Sequence, residues 1–178
     1  MKRAVFIDRD GVLIEAPKIE KKPKSIKKLN EIKIIKDVKA GIKLLKKKFK
    51  LIIVTNQPDV ARKIITKKSV NEINNFLKKK LKIDYVLECF HDDKDKCKCR
   101  KPKSGLFIKA KKNWKIDLKK SYMIGDRKID IEAGNNAGCK NFFIDYQYAE
   151  KKPSKKYCEY VESFYQAALK IYKYENIK

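Results

Sequence analysis

The stretch RAVFIDRDG, Arg3 to Gly11, decides how the rest of the chain is read. Ala4-Val5-Phe6-Ile7 is a short unbroken apolar run, and it ends abruptly in Asp8-Arg9-Asp10-Gly11. A run of that length bounded by turn-forming residues marks a strand covered on both faces. The same unit recurs downstream as LIIVT (51–55), YVLECF (85–90), YMIG (122–125) and NFFID (141–145). Between these runs the apolar residues fall at helical spacing. Val38, Ile42, Leu45 and Phe49 form one such face, and further helices are expected at 67–81, 104–114 and 127–137, with Gly138 as the stop of the last. Tyr157, Tyr160, Val161, Phe164, Ala168 and Leu169 predict the core-facing stripe of a C-terminal helix. Strands alternating with helices predict a three-layer α/β domain around a mainly parallel sheet. EAPKIEKKPKSIKKLNEIK (15–33), with Pro17 and Pro23, reads as a long loop, and neither an internal repeat nor a second domain is evident.

In sheets of this kind, ligands bind beyond the carboxyl ends of the strands. The notable polar residues collect there: Asp8 and Asp10 after the first strand, Thr55 and Asn56 after the second, Asp126 after the fourth. Strand periodicity turns Asp8 and Asp10 to the same side and Arg9 elsewhere, and Gly11 permits a tight exit. A carboxylate bound to Mg²⁺ stays ionised and can attack phosphorus. A second carboxylate can protonate the leaving alcohol and later take a proton from water. A lone D-x-D could equally be a solvated turn, but Asp126 offers another hard oxygen ligand. Asp130, one helical turn further on, suits either a nearby cation or simply a helix N-terminus. Thr55 offers a hydroxyl to a phosphate oxygen, Asn56 an amide to phosphate or substrate, and Lys101 a charge for the phosphorylated intermediate.

Composition sets the bounds. The 178 residues carry a net charge of +25, yet 42 of the 47 basic residues are lysine. Arginine supplies the fork suited to phosphate and base edges, so its scarcity argues for a solvated lysine surface, and nucleic acid is not expected as a partner. No run of 18 apolar residues spans a membrane, the N-terminus lacks a signal-like segment, and a cytoplasmic, monomeric protein is expected.

FIDRDG, VTNQ, Lys101 and IGDRKID stand in the order of the four motifs of the haloacid dehalogenase (HAD) superfamily of phosphatases, which the chain resembles over almost its whole length. The resemblance implies a Rossmann-like HAD fold, one phosphatase domain over 1–178, and an aspartyl-phosphate mechanism. Asp8 is then the nucleophile and Asp10 the acid/base. Thr55 and Lys101 bind phosphate, and Asp8, Asp10 and Asp126 bind Mg²⁺.

CFHDDKDKCKCRKP (89–102) holds Cys89-x-His91 and Cys97-x-Cys99, with His91 the only histidine. Three thiolates and one imidazole make a closed tetrahedral Zn²⁺ set, structural because no open position remains. Disulfides are the alternative, disfavoured in a cytosolic setting. Asp92, Asp93 and Asp95 read as loop solubility, and Cys139 and Cys158 are assigned nothing. A zinc-binding loop at 89–99 would place Lys101 and Arg100 at the rim of the site.

The C-x-H…C-x-C-R-K-P arrangement resembles the zinc-bearing branch of D-glycero-D-manno-heptose 1,7-bisphosphate 7-phosphatases and histidinol-phosphate phosphatases, whose site lacks a separate cap domain. TNQPDVAR and CRKPKSGL are closer to the heptose enzymes, although Lys63 stands where glycine is expected. The resemblance implies a small phosphorylated sugar as substrate, with Arg100 and Arg62 gripping a second phosphate. Histidinol-phosphate phosphatase is the alternative, and a nucleic-acid end phosphatase a more distant one.

Overall fold

A computed structural model describes residues 1–19, 22–23 and 25–175. Six strands form one sheet: β1 (Ala4–Ile7), β4 (Lys50–Asn56), β5 (Tyr85–Cys89), β6 (Tyr122–Gly125), β7 (Lys140–Ile144) and β8 (Glu159–Val161). Their order is β5-β4-β1-β6-β7-β8, and every pairing is parallel. The first strand thus lies between β4 and β6, and the sheet reverses direction of growth at β1. That reversal opens a crevice at the carboxyl ends.

Both faces are covered, which is why the strands are apolar throughout. Val5, Ile7, Leu51 and Ile53 point into one core, with Val38, Ile42 and Leu45 of α1 (Val38–Leu45), Ile73 and Leu77 of α2 (Lys67–Lys80), and Phe164 and Ile171 of α5 (Phe164–Tyr174). Ala4, Phe6, Ile52 and Val54 point into the other, against Leu106 and Phe107 of α3 (Gly105–Trp114) and Ala133 of α4 (Lys128–Ala137). Successive residues facing opposite cores is the period-2 rule of a strand. The expected three-layer, mainly parallel α/β architecture is therefore what forms.

Three segments differ from the sequence reading. The first helix ends at Leu45, and buried Phe49 sits on the turn leading into β4. Tyr160 and Val161 belong to the edge strand β8, not to a C-terminal helix. That helix begins only after Ser163, whose side chain accepts from the backbone N–H of Gln166 and caps it. Val161 still faces the core, since a strand can bury the same residue that a helical pattern would. Within the expected 15–33 loop, Lys18–Ile19 (β2) and Lys22–Pro23 (β3) pair antiparallel, and residues 20, 21 and 24 lie outside the described ones. Gly138 stops α4 as expected, at φ +84°. Lys63 adopts φ +59°, so a lysine occupies the left-handed conformation that glycine takes without strain. Among the described residues, no helix is long and apolar enough to cross a membrane.

Candidate active site

The crevice at the tips of β1, β4 and β6 holds a buried charge cluster. Asp8, just beyond β1, is 7% exposed, while Lys101, Asp126 and Asp130 are 1–2% exposed. The Lys101 ammonium donates to Asp8 Oδ1 at 2.5 Å and to the Val54 carbonyl at 2.9 Å, and pairs with Asp130 Oδ1 at 2.5 Å. Its three donors thus meet three acceptors, two of them charged. One oxygen from each of Asp8, Asp126 and Asp130 lies within 4.8 Å of the others.

Lys101 arrives here from the loop after β5. Cys89 ends β5 in register with Asn56 of β4, and its carbonyl accepts from the Gln57 N–H at 2.7 Å. The chain then doubles back. The Asn56 side chain forms a reciprocal amide pair with the Lys101 backbone, donating to its carbonyl and accepting from its N–H, both at 3.0 Å. The Asn56 amide is therefore occupied in placing Lys101.

Asp10 lines the same cleft as Asp8, Thr55 and Asn56, but its carboxylate stands apart from the three clustered ones. It is held by Arg9 Nη2 at 3.0 Å, Gln57 Nε2 at 2.9 Å and Ser25 Oγ at 3.1 Å. Arg9 was expected to point elsewhere; it is fully buried and curls around its neighbour, with Nη1 donating to Asn74 Oδ1 of α2. A buried guanidinium needs a counter-charge, and Asp10 is its ion-pair partner. Gln57 also donates to Thr55 Oγ1 at 2.8 Å, so one buried amide orients both residues.

Asp130 serves two contacts at once. Its Oδ2 accepts from the Arg127 N–H at the start of α4, the helix-end role, and its Oδ1 meets Lys101. Asp126 is wedged between glycine and tyrosine: a Cβ on Gly11, at φ +90°, would lie 2.0 Å from Asp126 Oδ2, which also accepts from Tyr148 Oη at 2.9 Å. Asp126 Oδ1 is buried with no hydrogen-bond partner among the described residues.

Three carboxylates against one ammonium leave the cluster with excess negative charge. Burial pushes the Asp8 carboxyl up to about 7, against the pull of Lys101. Burial, with Asp8 and Asp130 nearby, raises Asp126 well above the usual carboxylate range. Lys101, despite its own burial, is raised by Asp130 and Asp8. A divalent cation would offset this charge and occupy the orphaned Asp126 oxygen, so the residues fit a hard cation with oxygen ligands.

The second cluster has the spacing of a tetrahedral metal site. The donor atoms of Cys89, His91, Cys97 and Cys99 all lie within 4.8 Å of one another, and five of their six pairs are 3.1–3.7 Å apart. Ligands about 2.0–2.3 Å from a shared ion sit roughly 3.4–3.8 Å apart. The Arg100 N–H donates to Cys97 Sγ at 3.4 Å, which orients that sulfur.

A family profile described as HAD-hydrolase-like matches residues 98–158. The D-glycero-beta-D-manno-heptose-1,7-bisphosphate 7-phosphatase of Helicobacter pylori (strain ATCC 700392 / 26695) is 31% identical over 159 residues, 85% of this chain and 88% of the relative. The chain belongs to the haloacid dehalogenase superfamily of phosphatases. The Histidine biosynthesis bifunctional protein HisB of Blochmanniella floridana is 38% identical over 141 residues, 76% of this chain but only 39% of that longer protein. The fold matches the crystal structure of D,D-heptose 1,7-bisphosphate phosphatase from B. bronchiseptica complexed with magnesium and phosphate, with a TM-score of 0.80, 22% identity and coverage of 98% and 99%. This chain is thus a phosphoric monoester hydrolase.

In this HAD phosphatase the two arginines expected at a second phosphate are otherwise engaged. Arg62 forks onto Asp92 at 2.7 and 2.8 Å, and Arg100 Nε donates to Asp93 at 2.8 Å. Neither lines the cleft of Asp8 and Asp10. The acidic residues of the loop are accordingly not mere solubilising charges. Arg62 holds the Asp92 carboxyl down at about 2, and Asp92 and Asp95 close a capping turn. Arg9, Gln57, Ser25 and Tyr148 had no assigned role in the sequence reading. Arg9, inside FIDRDG, and Gln57, inside VTNQ, lay within recognisable motifs, while Ser25 and Tyr148 did not.

Gly11→Ala is expected to lower phosphate release about 100-fold, because a displaced carboxylate of roughly 1 Å costs that much. Strain at positive φ should add about 1 kcal/mol of destabilisation. Steady-state kinetics and a melting curve on one preparation check both.

Proposed function

We propose that this HAD phosphatase removes the 7-phosphate of D-glycero-D-manno-heptose 1,7-bisphosphate, using Mg²⁺ at the aspartate cluster and a structural Zn²⁺ at the Cys/His cluster. The observation that carries the reading is the match to the H. pylori heptose phosphatase across nearly the full length of both chains. Bound at Asp8 and Asp126, with Asp130 adjoining, Mg²⁺ supplies charge stabilisation for the phosphoryl oxygens. The Asp10 carboxylate, expected to join this set, is held instead by Arg9, Gln57 and Ser25.

In the first step an Asp8 oxygen attacks phosphorus, a P–O bond forms to Asp8, and the P–O bond to the sugar breaks. The leaving alkoxide takes its proton from Asp10. In the second, Asp10 takes a proton from water as the water oxygen attacks phosphorus, releasing inorganic phosphate and regenerating the Asp8 carboxylate. Lys101 neutralises charge on the transferring group and Thr55 donates its hydroxyl to a phosphoryl oxygen. Arg62 and Arg100 stand ready for the distal phosphate if their aspartate partners exchange for it. The Cys/His cluster holds the loop that carries Lys101 inward.

Histidinol-phosphate phosphatase is the second reading, favoured by the 38% identity to HisB. The deciding experiment measures phosphate release with Mg²⁺ from both anomers of heptose 1,7-bisphosphate, histidinol phosphate, fructose 1,6-bisphosphate and a 3′-phosphorylated oligonucleotide. A kcat/KM at least about 100-fold higher for one heptose anomer is expected, the scale of discrimination by a few polar contacts. Preference for histidinol phosphate would transfer the assignment to the second reading.

A further inference from the structure

The loop after β7 reaches the site through two neighbouring contacts. Tyr148 Oη donates to Asp126 Oδ2 at 2.9 Å, and Glu150 grips Arg127, the residue after Asp126, through two hydrogen bonds of 2.8 and 2.9 Å. Asp126 cannot turn away from the tyrosine easily. Gly11 lies against the same oxygen so tightly that a Cβ there would lie 2.0 Å from Oδ2 and 3.2 Å from Tyr148 Oη. The carboxylate is thus fixed with Oδ2 bonded and Oδ1 buried without a hydrogen-bond partner among the described residues.

We infer that Tyr148 is a positioning residue for the divalent cation: its hydroxyl holds Asp126 Oδ2 and so keeps the carboxylate beside Asp8 and Asp130 with Oδ1 left for the ion. The inference rests on the proposed Mg²⁺ site and extends it to a residue outside the four motifs. A carboxylate held by an outer hydrogen bond is pre-oriented, and loss of such a partner typically weakens metal binding about 10–100-fold. Free rotation of Asp126 would also let Oδ1 find other donors, so the ion would have to displace them.

The test is calorimetric titration of Mg²⁺ into the metal-stripped, zinc-retaining protein, without substrate, for wild type, Tyr148→Phe and Glu150→Gln. Tyr148→Phe is expected to raise the Mg²⁺ dissociation constant about tenfold while the melting temperature without Mg²⁺ stays close to wild type. Glu150→Gln breaks the neighbouring loop contact without touching Asp126 and is expected to leave Mg²⁺ binding unchanged. Equal Mg²⁺ affinity in wild type and Tyr148→Phe overturns the inference. So does an equal loss in both variants, because loop packing and not the hydroxyl would then set affinity. So does a wild type that binds no Mg²⁺. Since no substrate enters the titration, failure of heptose bisphosphate in turnover assays is read separately.

Discussion

Asp8→Asn is expected to lower kcat by at least about 10⁴-fold, the scale seen when a nucleophile acting within a unit is removed. The amide nitrogen and oxygen keep the shape of the carboxylate but do not form an acyl phosphate. The same change is expected to leave the metal-free fold as stable as wild type or more so. Burial raises the Asp8 carboxyl to about 7. A carboxyl whose folded value lies above its unfolded one costs stability above the unfolded value, and so at neutral pH. Asparagine removes that charge from beside Asp126 and Asp130, while Lys101 keeps Asp130 and the Val54 carbonyl as partners. Kinetics and melting curves recorded together separate the two effects. Residual turnover within about 100-fold of wild type would take the nucleophile's role from Asp8.

If the four donors hold the proposed Zn²⁺, Cys99→Ala is expected to cost about 3 kcal/mol or more, because the binding energy of a structural zinc is folding energy. Cys99 is in contact with Cys89, Cys97 and His91, so its loss opens the set on three sides. Lys101 lies two residues further on and enters the site only because that loop folds back over β4. Turnover should therefore fall together with the melting temperature. Wild type should release one equivalent of Zn²⁺ on treatment with a thiol-reactive mercurial. Cys139→Ala, a buried cysteine in the same core but outside the four-donor set, gives the comparison for simple loss of a thiol. An unchanged melting temperature in Cys99→Ala, with a zinc-free wild type, would leave the loop held by protein contacts alone.

What could be read in advance followed from local pattern. The strands were legible because burial on both faces leaves unbroken apolar runs, and the strand tips because Asp8, Thr55 and Asp126 interrupt those runs abruptly. Tyr160 and Val161 misled because a three-residue edge strand carries too few residues for its period to show beside a helix pattern. Arg9 misled for a different reason. Alternation along a strand fixes where its Cβ points, but a long side chain can bend back to its neighbour's carboxylate, and only the position of Asn74 on α2 makes that path favourable. Tyr148 lay in a segment, DYQYAEKK, with no periodicity and no motif. Its partner is 22 residues earlier in the chain, so nothing local could pair them. Arg62 and Arg100 were visible as cations, but their carboxylate partners sit in a loop whose path depends on the four-donor cluster.

The sheet order has a consequence for how the protein is made. Asp8 and the Lys101 ammonium are 93 residues apart, and both depend on strands that pair only in parallel with partners distant in the chain. Parallel pairings between remote segments form late. A growing chain that has released β1, β4 and the cysteine loop holds Asp8 and Lys101 but lacks Asp126 and Asp130, which follow β6. The nascent polypeptide therefore carries Asp8 and Lys101 before the rest of the charge cluster exists, and the cluster is complete only once β6 and α4 have docked beside β1. On the proposed reading of that cluster, turnover is a direct reporter of completed folding.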